Sequence, residues 1–415
     1  MVRHYHHQFQ SLPANLKLFL MGHALQAFGT SIHALLFNLF LGEAGLKEGA
    51  MGSLAATTSM GIALVAFPAA FVLERFSIKP LIILGMFLCS AFYFMQVQSS
   101  SMETYTMFGL MGSMGLAIFN VSIAPFIFRH TPPEMRVYAF TLNAAASMGA
   151  QLVGFMVGGY LPDLLQIIWT EMPRLEAYRW SMSSSLLFSM TSVFFYSRIH
   201  RAPIPKVKRN FLGELKEKDW RTLGTLIAPK VCLALGAGMI IPFMNIYLSS
   251  RFDLKSSAIG VCFGVLQLFM FMGIFISPML FKRFDRLKFI ILSAALSIPF
   301  MLLMAFTTSV SVVLGSFFLR GMLMNMSGPM TSLFEMERVR EKECLFASSM
   351  LIFCYNTAWT FSTQVGGWVI ETQGFKLSFI LAATFYVAAV GCYFRFFRLR
   401  RLQAAQNSVA PVEAA

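Results

Sequence analysis

Long apolar blocks, each about the ~20 residues that a helix needs to cross a hydrocarbon core, alternate with short polar breaks along the whole chain. Each block predicts one spanning helix, and twelve can be counted, at about 16–41, 50–73, 80–98, 104–128, 138–161, 180–197, 226–249, 257–280, 288–306, 310–334, 344–370 and 376–394. Pro68, Pro125, Pro242, Pro278 and Pro329 fall within these blocks. Neighbouring helices can satisfy the backbone groups a proline frees, so helix remains the expectation. The longest polar break, 198–221, separates six spans from six and reads as a solvated linker. Its second part suits a short helix on the membrane face. The expected organisation is a first bundle over 1–197, a linker over 198–225, a second bundle over 226–394 and a tail over 395–415. The segment 163–177 is amphipathic and is expected at the outer surface.

Composition narrows the class. Of 415 residues, 57% are apolar or aromatic and 13% are charged, about half the ~25% usual for a soluble protein. A soluble domain of this size would need more polar surface, and a disordered chain would need fewer apolar residues. The expectation is an all-α, multi-pass membrane protein. Residues 1–13 lack the short apolar core of a cleavable signal, so the first block should stay as a membrane helix. Six cysteines lie in or beside the apolar blocks without metal-ligand spacing, and no metal or cofactor is expected.

The net charge of +14 takes its meaning from location. With a cytoplasmic N-terminus, 26 of the 33 Lys and Arg fall on the inner side and six on the outer, leaving Arg320 inside a span. This is the positive-inside asymmetry of a cytoplasmic-membrane protein with both termini inside. It argues against nucleic acid as a partner; the expected partners are the bilayer and a small molecule, with a monomeric chain.

The two sets of six spans repeat at an offset near 208. Phe37-Asn38-Leu39-Phe40-Leu41 parallels Met244-Asn245-Ile246-Tyr247-Leu248, and Gly158-Gly159-Tyr160 parallels Gly366-Gly367-Trp368. Arg75-Phe76 before Ile82-Ile83-Leu84 parallels Arg283-Phe284 before Ile290-Ile291-Leu292. Duplication after an even number of crossings predicts two halves of equal orientation, related by an axis along the membrane normal. A shared cavity that opens to each side in turn would follow.

This layout resembles the major facilitator superfamily, whose fold is two pseudosymmetric six-helix bundles. The family's loop between spans two and three, approximately Gly-x-x-x-Asp-Arg-x-Gly-Arg-Lys, is similar to Ala70-Phe71-Val72-Leu73-Glu74-Arg75-Phe76-Ser77-Ile78-Lys79. The acid, one Arg and the final Lys are kept; both glycines are not. The second copy carries Arg283, Asp285 and Arg286, with Lys282 at the acid position. The resemblance implies an inner gate at Glu74, Arg75, Lys79, Arg283, Asp285 and Arg286. Gly154-Phe155-Met156-Val157-Gly158-Gly159 looks like the family's antiporter signature with Phe155 in place of Pro; close helix packing explains such glycines equally well.

Polar residues within the spans supply the candidate site. Gln26, Thr30, His33 and Phe37 share one helix face, and His33 is the mid-span histidine of this reading. No acid falls mid-span, so His33 is the candidate for a coupling proton. Arg320 sits near the middle of span ten, where an unpaired guanidinium is costly and should meet water, a partner or an anionic ligand. Asn38, Asn120, Asn143, Ser147, Gln151, Asn245, Asn325, Tyr355 and Trp359 complete the set, each also suited to joining helices. Ser147/Tyr355 and Gln151/Trp359 are related by the repeat.

The leading expectation is a secondary active transporter of a small molecule working by alternating access, with efflux of an amphipathic or anionic compound as one form. A lipid or lysolipid translocator on the same scaffold is the alternative. A membrane-embedded enzyme would need clustered nucleophiles or acid–base pairs in the spans, which this sequence does not offer. A sensor that binds without transporting is the remaining class. No Walker-type phosphate loop suggests direct use of ATP.

Overall fold

A computed structural model describes residues 12–75, 77–132, 135–200, 220–281, 286–339 and 344–409. Among these residues the regular structure is helical throughout, without strands. The first five spans are single helices, Ala14–Glu43, Glu48–Arg75, Ile78–Gln98, Met102–His130 and Arg136–Ile168. Span six breaks at Thr191 into Arg174–Met190 and Ser192–Ser197. Span seven comprises Trp220–Gly238, one tight turn at Ile241–Phe243, and Met244–Phe252. Spans eight and nine are Ser256–Phe281 and Arg286–Phe306; span ten is Val310–Met326 followed by Gly328–Glu337. Cys344–Gln373 and Phe375–Val409 complete the twelve.

The prolines divide into two groups. Pro68 and Pro125 stay inside continuous helices. Pro242 and Pro329 lie where spans seven and ten break, because proline has no N–H to continue the ladder and its ring opposes the preceding turn. Span five runs seven residues beyond the expected end at 161, taking in Pro162 and much of the amphipathic segment. Span seven begins at Trp220, inside the expected linker; residues 201–219 lie outside the described part.

Two compact units form, and their division does not follow the linker. One contains Met1–Arg209 with Pro242–Leu268; the other contains Asn210–Ile241 with Phe269–Ala415. The second part of span seven and the first half of span eight therefore belong with spans one to six. Within this first unit, the loops after spans one, three, five and seven share one end, called the far face below. Span one is the most enclosed helix of the first unit's candidate spans: 61% of its most apolar window is buried, against 6% for span five. Its near end sits in a core where the Phe19 and Phe126 rings stack at 4.4 Å and Tyr196 lies 5.8 Å from Phe19. Large apolar side chains such as Phe275, Phe361 and Trp368 stay exposed, as lipid contact requires.

Candidate functional site

In the first unit the polar residues gather on span one. Gln26, Thr30, His33 and Phe37 recur at helical spacing, and His23 lies one turn earlier on the same stripe. The sequence pattern singles out His33 as the mid-span histidine; the structure corrects this, because His23 is also inside the helix. Its Nδ1 lies 2.7 Å from Asn143 Oδ1 of span five. This is also where Asn143 is placed. The signal was available in the stripe itself, three residues before Gln26.

His33 is buried against aromatic rings. Phe37 stacks at 5.0 Å and Tyr93 of span three at 4.8 Å, nearly parallel at 15°. Its Nε2 is buried without a hydrogen-bond partner. Gln26 is buried, and Thr30 donates to the Gln26 carbonyl at 2.8 Å, so that hydroxyl is used within its own helix. Ser147 likewise donates to Ala144 O at 3.1 Å. Gln151 accepts from Gln267 Nε2 of span eight at 3.2 Å. Asn120 is exposed.

Asn38 and Asn245 join spans one and seven rather than pointing separately into space. Asn38 Nδ2 donates to Pro242 O at 2.6 Å, and Asn245 Nδ2 donates to Leu35 O at 2.9 Å. Both Asn38/Asn245 and Leu35/Pro242 are separated by 207 positions. The repeat therefore closes on itself here: each copy donates to the carbonyl equivalent to the one it offers. Asn38→Ala and Asn245→Ala should each cost about 1–2 kcal/mol by removing a buried bond. Thermal unfolding of the purified variants checks this, and unchanged midpoints in both would dismiss the junction.

Glycines bring span eight equally close. A Cβ on Gly159 would lie 2.8 Å from the Gly260 Cα, and one on Gly158 would lie 2.9 Å from the Ile32 side chain. The signature-like glycines of span five thus serve close backbone approach to spans one and eight. At the far face Arg174 gathers neighbouring segments, 3.4 Å from Asp163, 3.8 Å from Glu43 and 3.4 Å from Ser256 Oγ.

The second unit holds the buried charge. Arg320 is 4% exposed. Its Nη2 donates to Tyr386 Oη of span twelve at 2.8 Å, and the guanidinium lies 5.3 Å from that ring's centre. Its Nε is buried without an acceptor. Among the described residues no carboxylate pairs with it. Tyr355 and Trp359 of span eleven form an aromatic pair at 5.7 Å, while Asn325 donates to Gly321 O of its own helix. Tyr386 has no sequence signature of its own; only packing assigns it to Arg320.

A second charge was missed in the sequence. Lys230, counted there with the inner segments, lies within the Trp220–Gly238 helix. Its Nζ is 2.9 and 2.8 Å from the two oxygens of Glu335, which is buried near the end of span ten.

Of the expected gate, Lys79 is described: its Nζ donates to Ser197 O at 2.6 Å, tying span three to the C-terminal end of span six. The side chains of Glu74, Arg75 and Arg286, and residues Arg283 and Asp285, lie outside the described part. No cluster of three or more His, Cys, Asp or Glu suited to a metal occurs among the described residues.

The family model described as Major Facilitator Superfamily matches residues 19–231 and again 230–413. The fold is similar to a bacterial homolog of the human lysosomal transporter Spinster, at 15% identity and a TM-score of 0.73, covering 92% of this chain and 96% of that one. It is also similar to the nucleoside transporter NupG, at 12% identity and a TM-score of 0.72, covering 92% and 99%. The human organic anion transporter MFSD10 (TETRAN) shares 15% identity, with a TM-score of 0.62 and coverage of 92% and 99%. No curated protein sequence matches the chain significantly. Twelve spans, a double family match and these structural likenesses make the chain a member of the Major Facilitator Superfamily, with the all-α membrane fold of its transporters.

Proposed function

We propose that this protein is a secondary active transporter that moves an anionic or amphipathic small molecule across the cytoplasmic membrane by alternating access. One observation carries the reading: Arg320, buried in a membrane helix, has a neutral phenol as its partner and no described carboxylate. A guanidinium at this depth is stable only with water, a partner or an anion. Its planar fork suits a carboxylate or phosphate, and the half-buried Tyr355 and Trp359 offer aromatic surface for an apolar body. The MFSD10 transporter carries organic anions by name, but a likeness at 15% identity speaks for the fold alone.

Span one, in the first unit, supplies a separate candidate group. His33 keeps an unpartnered ring nitrogen and is the candidate proton carrier. The 26-to-six distribution of Lys and Arg supports cytoplasmic termini, so the far face is proposed to be the outer one. A lysolipid falls within the same chemistry, with its phosphate at Arg320 and its chain against the rings.

The test is uptake and counterflow in liposomes containing the purified protein, using labelled organic anions, cations and neutral solutes, with and without a pH gradient. Anion-selective flux is the expected result. Flux of cations alone, or flux indifferent to solute charge, would overturn the Arg320 assignment.

A further inference from the structure

The far ends of spans five and six, with the turn that joins them, line a cavity of about 860 Å³, within the ~300–1,000 Å³ usual for small-molecule sites. It lies in the first unit, whereas Arg320 belongs to the second, and it does not depend on the transport reading. Leu161 and Leu165 form one wall, while Trp169 and Trp180 flank it; both tryptophans are more than half exposed.

The position of this cavity relative to the bilayer follows from length. Span five has 33 residues, about 50 Å at 1.5 Å per residue, whereas the hydrocarbon core is about 30 Å thick. The helix is longer than the core, and the exposed Trp169 and Trp180 beside its last turns assign that end to the headgroup layer, where tryptophan is enriched. The cavity reaches from that layer down an apolar helix face.

Charge decides the occupant. Glu171 and Glu176 line the cavity, and no Lys or Arg does. Glu176 already pairs with Arg179, which leaves Glu171 as the carboxylate offered to a ligand. An anionic headgroup would be repelled. A primary ammonium can donate to Glu171 and lie over the indole faces, which attract a cation. Choline has no N–H to donate.

We propose that this cleft is a binding site for one phosphatidylethanolamine molecule of the surrounding bilayer. The ammonium sits at Glu171 between Trp169 and Trp180, and an acyl chain runs along Leu161 and Leu165.

The experiment is native mass spectrometry of the full chain released from micelles holding equimolar phosphatidylethanolamine and phosphatidylglycerol. The expected result is retention of phosphatidylethanolamine at least fivefold over phosphatidylglycerol. Leu165→Trp, which fills the cavity, should abolish retention. Glu171→Lys, at an exposed loop position that should not disturb folding, should reverse the preference. Equal retention of the two lipids by the unaltered protein would overturn the proposal. So would an unchanged preference in Glu171→Lys.

Discussion

Arg320→Met is expected to reduce anion transport roughly 10- to 100-fold, the loss that corresponds to a charged hydrogen bond contributing about 1.5–3 kcal/mol. The same variant should unfold at an unchanged or higher temperature. Those two results rarely go together. An arginine that holds a fold together loses stability when removed, whereas this one has a neutral tyrosine as its partner and a buried Nε without an acceptor. Methionine fills similar volume without an uncompensated charge. Arg320→Lys should be intermediate, because it keeps the charge and loses the planar fork. Tyr386→Phe should cost about 1 kcal/mol, since one neutral hydrogen bond goes and the ring stays. Initial rates in liposomes, read beside thermal unfolding in detergent, separate the two roles. Full transport by Arg320→Met, or a large fall in its stability, would return Arg320 to a structural part.

The ion pair of the second unit predicts the opposite pattern. Lys230→Met leaves Glu335, whose side chain is 6% exposed, without its counter-charge. Removing one partner of a buried pair costs about 3–5 kcal/mol. At roughly 2–4 °C per kcal/mol, the unfolding midpoint should fall by about 10 °C. The double variant Lys230→Met, Glu335→Leu should recover most of that loss, because two apolar groups need no compensation. The check is a cycle of the two single variants and the double one, all measured by thermal unfolding. Additive losses would mean that the two charges act independently, against the 2.8 and 2.9 Å contacts.

Different parts of the molecule were legible in the sequence to different degrees. All twelve spans appear as apolar blocks, and their ends agree with the structure to within a few residues at most positions. The exceptions are the ends of spans five and twelve and the starts of spans six and seven: span twelve continues to Val409, through what was expected as a tail from 395, and span six begins at Arg174 rather than 180. Span five continues past 161 because Pro162 is tolerated inside the helix and the amphipathic turns beyond it can lie in the headgroup layer. Span seven starts early because Trp220 and Leu223 extend its face into what reads as polar linker. Lys230 escaped notice because a charge near a helix end looks like an anchor until its partner is seen. His23 was missed although it occupies the same stripe as Gln26 and His33.

The chain's pattern by itself determined the class, the number of crossings, the duplication and the isolation of Arg320, since each follows from which residues water or lipid will accept along one dimension. Tertiary packing alone decided which polar groups meet. It assigned Tyr386 to Arg320 and Glu335 to Lys230, and it turned Asn38 and Asn245 from separate cavity candidates into a reciprocal junction. It also moved Pro242–Leu268 out of the sequence's second half and into the first unit. The reason is that hydrogen bonds and glycine contacts act over a few ångströms between residues 66, 105 or 207 positions apart, and no periodicity along the chain records such distances.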